Sequence, residues 1–347
     1  MKKIIATNHN KVIELIDAGS LPKVFLNDNW ENILKQYKTQ FSSLKFLVDR
    51  TGTIPHYLNV NQSLYPIPSG TKCLSFNEVA KKRALELINL GKPIYVSWSG
   101  GVDSTFVLLT LYHYATDKSQ IRVYGTYNSI VESGYIFDRF IKYKFMYDIH
   151  TPVSLHNNYN NIEPGSIIVT GALGNNLFYQ DLNWHQPDSW MLFKDPIENP
   201  IKKFAEYPYQ EVLQEPNVEF LQECILKSPR KIETLQDLRW WVQFNFNWYT
   251  VKTTSYVQSS ALNIGNIHAF FDSEDFQLWS VFNNDPPTKK GDYTDERWQQ
   301  REIITEYLGD SFYSETKKNT TSVLSSFNKS WIFLLEDYTN IYLEDLQ

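Results

Sequence analysis

The fold and the chemistry of this chain both turn on Tyr95-Val96-Ser97-Trp98-Ser99-Gly100-Gly101-Val102-Asp103-Ser104-Thr105. Apolar, β-prone residues run from Pro93 to Ser97, two glycines follow, and an apolar helix is expected from about Asp103 to Tyr114. Gly100 and Gly101 can take positive φ and let a ligand approach the backbone closely. The helix beyond them presents free N–H groups and the positive end of its dipole, which together suit a phosphate. Ser99, Ser104 and Thr105 add hydroxyl groups, and Asp103 adds a carboxylate able to hold Mg²⁺ beside that phosphate. A bare Gly-Gly pair would mean a tight turn with an ordinary cap. The whole string, placed after a strand, points instead to nucleotide binding.

The flanking sequence supplies the frame. A helix is expected from about Asn77 to Leu90, with Ser75 or Asn77 as cap and Val79, Ala80, Ala84, Leu85, Leu87 and Ile88 as its apolar stripe. Further strands are expected at Ile121–Gly125 and Ser166–Thr170, with a helix at about Tyr135–Phe145 between them. Strands alternating with helices predict an α/β fold, a parallel sheet wound on both faces. From about residue 195 the pattern turns mainly helical and aromatic. Residues 1–75 read as a small mixed α/β region, with strand candidates at Lys3–Ala6, Lys23–Leu26 and Leu44–Val48. The stretch Tyr65–Gly70 reads as a linker. The expected organisation is therefore a small N-terminal region over 1–75 and a nucleotide-binding domain with a helical C-terminal part over 76–347.

Composition narrows the function. With 347 residues, 42% of them hydrophobic and 21% charged, the chain has the make-up of a globular protein and not of a disordered or collagenous one. Its 10 Trp, 22 Tyr and 21 Phe speak first for a bulky core. In the aromatic run of Arg239-Trp240-Trp241, Phe244, Phe246, Trp248 and Tyr249, helical spacing puts Trp241, Phe244 and Trp248 on one face, for packing rather than for stacking on a base. A net charge of −6 disfavours a duplex-DNA binder and leaves nucleic acid a less favoured partner. Cys73 and Cys224 are too few for a cysteine-rich metal site and read as reduced thiols. His150, His156, His185 and His268 lack metal-binding spacing. Neither a signal peptide nor a membrane span is apparent, so the expected compartment is the cytoplasm.

Ser99-Gly100-Gly101-Val102-Asp103-Ser104 resembles the pyrophosphate loop, Ser-Gly-Gly-x-Asp-Ser, of the PP-loop (N-type) ATP pyrophosphatases, and matches it throughout. Three further segments resemble the synthetase domain of asparagine synthetase and β-lactam synthetase within that superfamily. Val169-Thr170-Gly171-Ala172-Leu173-Gly174-Asn175-Asn176-Leu177-Phe178 stands where the family has Ser-Gly-Glu-Gly-Ser-Asp-Glu-Leu-Phe. Ile267-His268-Ala269-Phe270-Phe271-Asp272 is similar to its Arg-Val-Pro-Phe-Leu-Asp. Glu296-Arg297-Trp298-Gln299-Gln300-Arg301-Glu302 is similar to its Lys-x-x-Leu-Arg-Glu helix, and Lys317-Lys318 falls near a basic segment of the family.

The resemblance implies an adenine nucleotide alpha hydrolase-like fold, and ATP and Mg²⁺ as cofactors. ATP would be cleaved between its α and β phosphates, a substrate oxygen adenylated, and AMP displaced by a nitrogen nucleophile. Ser97, Ser99, Gly100, Gly101, Asp103, Ser104, Thr105, Tyr127 and Gly171 would bind the nucleotide, with Asp103 on the metal. Arg297, Arg301 and Lys318 would supply positive charge to the transition state. Substrates would be a carboxylate or amide acceptor and an amine donor. The chain departs from the family at Ala172, Asn175 and Asn176, which replace acidic residues, and at Arg297, which replaces a lysine. Residue 2 is Lys rather than a nucleophilic Cys, and the glutaminase domain is missing, so the amine would come free, from a separate amidotransferase partner, or from the acceptor. Two other functions are carried forward: a catalytically silent ATP-binding subunit, and a nucleobase-modifying enzyme similar to lysidine synthetase.

Overall fold

The structure, a computed structural model, describes residues 2–7, 9–40, 48–53, 55–61, 65–70, 74–150, 162–178, 223–233, 235–257, 266–282, 297–311, 313, 331–335 and 340–342. In chain order they form β1 (Ile4–Thr7), α1 (His9–Asp17), α2 (Trp30–Gln40), α3 (Phe76–Ile88), β2 (Ile94–Trp98), α4 (Val102–Tyr114), β3 (Ile121–Thr126), α5 (Tyr127–Glu132), β4 (Met146–His150) and β5 (Ile167–Thr170). Then follow α6 (Leu235–Val242), α7 (Trp248–Val257), β6 (Ile267–Ala269), α8 (Glu274–Phe282), α9 (Trp298–Leu308), β7 (Trp331–Leu335) and β8 (Asn340–Tyr342), with shorter helical turns between. The chain divides into two compact units. One comprises Met1–Ser69, Tyr179–Val257 and Asn328–Gln347; the other comprises Gly70–Phe178 and Gln258–Phe327. Among the described residues no helix is long and apolar enough to cross a membrane.

The second unit is an α/β structure built on a five-stranded sheet in the order β4-β3-β2-β5-β6. All four pairings are parallel, with Val96 level with both Val123 and Val169. Ile94, Val96 and Trp98 of β2 and all four residues of β5 are buried, as expected where a parallel sheet is covered on both faces. Helix α4 is buried around nearly its whole girth, from Ser104 to Leu111. It has no polar face because it packs on β2 and against α3 and α9. Helix α3 starts at a capping box: Glu78 N–H donates to Ser75 Oγ, and Ser75 N–H donates to the Glu78 carboxylate at 2.9 Å. Phe76 at its head meets Phe106, Phe178, Phe276 and Trp279, ring centres 4.8–5.7 Å apart, so the aromatic excess here is core.

The first unit holds an antiparallel sheet in the order β1-β7-β8, with Ile4 opposite Leu335 and Trp331 opposite Tyr342. The aromatic run from α6 through the turn at Gln243–Asn247 to α7 is buried at Trp240, Trp241, Phe244, Phe246, Trp248 and Tyr249, so packing is its role. The Arg50 guanidinium lies over the rings of Phe244 and Trp248, at 4.8 and 4.6 Å, and donates to the carbonyls of Tyr65, Pro66 and Phe244. The Cys224 thiol is free and buried, and burial, with Asp49 beside it, pushes its pKa up. Cys73 lies outside the described residues.

Several elements differ from the sequence expectation. Lys23–Phe25 is a 3₁₀ turn, because Pro22 sets the backbone at its start, and only Leu26 makes a β-bridge, to Leu58. Residues 44–47 of another strand candidate are outside the described set. The helix expected over 135–145 is broken into Gly134–Ile136, a wide π-type turn at Phe137–Ile141, and Lys142–Lys144. The sheet continues into β4, which the sequence did not announce. Met146-Tyr147-Asp148-Ile149-His150 is an edge strand with Met146 and Tyr147 exposed, so it lacks the continuous apolar run of a central strand. Three strands, β6, β7 and β8, also fall in the region expected to be mainly helical.

Candidate functional site

From β2 the chain steps one way across the sheet, to β3 and then β4; β5 and β6 lie on the other side of β2. The order therefore reverses between β2 and β5. In open α/β sheets a crevice opens at the carboxyl ends of the strands at such a point, and ligands bind there. The two segments that leave those strand ends are Ser99-Gly100-Gly101 and Gly171-Ala172-Leu173.

The first segment is a turn held by its own side chains. Ser99 N–H donates to Ser104 Oγ at 3.1 Å, Gly101 N–H donates to Ser99 Oγ at 3.2 Å, and Ser104 Oγ donates to the Gly101 carbonyl at 3.1 Å. The Ser99 and Ser104 hydroxyls are 3.0 Å apart. Gly100 has φ +82°, and a Cβ there would stand 2.5 Å from the Ser129 carbonyl oxygen of α5, so only glycine fits. Gly101 does not use that freedom: its φ is −67°, extended backbone, and it is the N-cap of α4. Having no side chain, it offers no capping oxygen to the first-turn N–H groups of that helix.

The second segment is pressed against the same helix. A Cβ on Gly171 would lie 2.8 Å from Ser104 N and 3.0 Å from the Asp103 carbonyl carbon. A Cβ on Gly174 would lie 2.6 Å from Asp103 Cγ. Between these glycines Leu173 is left-handed at φ 72°, an unusual state for a leucine.

The Asp103 carboxylate is the junction of the site. Arg297 Nη1 donates to its Oδ2 at 3.0 Å and Gln300 Nε2 donates to its Oδ1 at 3.0 Å. Both side chains of the Asp103–Arg297 ion pair are only 18% exposed. Arg297 is the N-cap of α9 and sits at φ 59°, the second left-handed non-glycine residue among those described. Arg301 follows one helical turn later, its N–H donating to the Arg297 carbonyl. The charges of Arg301, Arg297 and Asp103 all act on the phenol of Tyr313, which is hydrogen-bonded to Thr105 and which burial pushes up to about 12.

The expected site residues thus divide. Ser99, Gly100, Gly101, Asp103, Ser104, Gly171 and Arg297 gather at the ends of β2 and β5, and Arg301 stands one turn farther along α9, its charge acting on Tyr313. Ser97 is buried within β2. The Thr105 hydroxyl is fully buried and accepts the Trp98 indole N–H at 3.1 Å, so it braces the base of the turn. Tyr127, at the head of α5, is 60% exposed. Lys318, Lys317 and Glu296 lie outside the described residues, as do His156 and His185. Burial lowers the pKa of His268 on β6. Sequence reasoning missed Gln300, Gly174 and Tyr313. The signal for Gln300 was its position three residues after Arg297, which brings both to one helix face.

Both Asp103 oxygens already accept a hydrogen bond, and no group of three His, Cys, Asp or Glu able to hold a metal occurs among the described residues. A magnesium ion on Oδ2 would stand about 4 Å from the Arg297 guanidinium, where dication and cation repel by roughly 8 kcal/mol at an effective dielectric of about 20. That offsets about half of the roughly 16 kcal/mol that one carboxylate oxygen at about 2.1 Å offers at the same dielectric. Ala172, Asn175 and Asn176 bring no further negative charge. The residues present do not fit a metal on Asp103. They fit an anion: glycine backbone, an uncapped helix start and two arginines. Compared with family models, with curated proteins and with solved structures, the chain matches none.

Proposed function

We propose that the parallel-sheet unit binds ATP and that the chain is an ATP-dependent ligase of the AMP-forming kind. A carboxylate or carbonyl oxygen of the acceptor attacks the α-phosphorus, the bond to the bridging oxygen of the β-phosphate breaks, and pyrophosphate leaves. A nitrogen nucleophile then attacks the acyl or imidoyl carbon and AMP departs. In this reading the Ser99–Ser104 turn and the start of α4 hold the departing pyrophosphate, and Arg297 and Arg301 offset the charge it gains. Lys318 is assigned the same task, and Tyr127 a place at the adenine. The sheet is read as doubly wound in the manner of the PP-loop enzymes, since right-handed crossovers on either side of the reversal would place helices on both faces. The observation that carries the proposal is the Gly100 turn at the β2–β5 reversal, with Gly100 against Ser129 and the start of α4 against Gly171 at distances that exclude any larger residue.

The test is exchange of labelled pyrophosphate into ATP across pools of amino acids, small carboxylates and nucleosides. Exchange with one pool, lost in Arg297→Gln, is the expected result and names the acceptor class. ATP binding without exchange in any pool would favour a silent ATP-binding subunit. The neutral residues at 172, 175 and 176 are the observation that keeps that second reading in play. Failure to bind ATP would overturn both.

A further inference from the structure

We infer that this site binds the polyphosphate of its nucleotide without a protein-held divalent cation, and that Arg297 provides the positive charge at the place where a metal would otherwise stand. The inference rests on the reading of the Ser99–Ser104 turn as a phosphate cradle. Its own ground is separate. Gln300 is fully buried, and its amide has one orientation: a carboxylate can only accept, so the nitrogen faces Asp103 Oδ1. Arg297 meets Oδ2. The backbone of Gly174 closes against the same carboxylate, leaving no room for even a methyl group. Asp103 is thereby enclosed on three sides and serves to aim Arg297.

The guanidinium's remaining donors form a planar fork, which matches phosphate oxygens better than a hydrated ion on one carboxylate does. Arg301 lies one turn along the same helix and adds a second positive charge. The three neutral residues of the neighbouring loop complete the case. A site that kept its acids would need a dication to hold a polyanion, whereas one that carries Ala172, Asn175 and Asn176 does not repel it.

Calorimetric titration of the full chain with ATP, and separately with inorganic pyrophosphate, in EDTA and in excess MgCl₂ tests this without any variant. The dissociation constants in the two media are expected to agree within about threefold. Arg297→Gln is expected to weaken binding at least tenfold in EDTA, and Arg297→Lys to recover part of that loss. In Asp103→Asn the ratio of the two constants is expected to stay near one, because no cation leaves with the carboxylate. The inference is overturned if magnesium tightens ATP binding tenfold or more in the natural chain and Asp103→Asn removes that gain. Absence of binding by ATP and pyrophosphate in both media overturns the phosphate-cradle reading itself, and the inference with it.

Discussion

Gly100 shows how little freedom a single position can have. Its left-handed backbone disfavours any side chain by about 1–2 kcal/mol, and a Cβ would stand 2.5 Å from the Ser129 carbonyl oxygen, a contact that requires α5 to shift. Gly100→Ala is therefore expected to destabilise the chain by about 2 kcal/mol or more and to lower ATP affinity; urea unfolding followed by titration measures both. An alanine variant of unchanged stability would mean that the turn relaxes freely. The sequence made this glycine legible because it stands between a strand and a helix. It gave no means of separating Gly100 from Gly101, since only the packed α5 decides which of the two must be left-handed. Asp103 carries a similar lesson. Its residue type suited a metal, but its partners come from positions 297 and 300, and no pattern near residue 103 announces them.

At the scale of elements, the central strands and helices were the most legible. Helix α3 runs Phe76–Ile88 behind the Ser75 cap, α4 runs Val102–Tyr114, and β2, β3 and β5 stand within a residue or two of their expected positions. These elements are buried, so hydrophobic burial and local pattern agree. What escaped detection lies at edges and interruptions. Strand β4 is half-exposed, β6 has three residues, and the π-type turn of Phe137–Ile141 inserts a residue that breaks helical periodicity. The reciprocal cap of α3 offers a clean measurement. Ser75→Ala removes the oxygen that accepts Glu78 N–H and is expected to cost about 1 kcal/mol by urea unfolding, with no change in m-value. A loss under about 0.3 kcal/mol would show that water caps this helix equally well.

Over the whole molecule the two units interleave along the chain. The three-stranded sheet takes β1 from the start of the sequence and β7 and β8 from its last twenty residues, with β7 in the middle. Ending the chain at Phe327 would leave β1 without its partner. The truncated chain is expected to melt at least about 5 °C lower by calorimetry, or to aggregate through the bared strand. Melting at the unaltered temperature would show that the sheet contributes nothing to the stability measured. Pairings of this kind were invisible in the sequence because they join segments more than 300 residues apart. The Asp103–Arg297 contact is long-range in the same sense, and this has a consequence for synthesis. At about 5–20 residues per second, the 194 residues between the two take a ribosome roughly 10–40 seconds to add. Throughout that interval the glycine turn is already made while Arg297 is still untranslated, so a nascent chain can fold its early strands long before Asp103 meets its ion-pair partner.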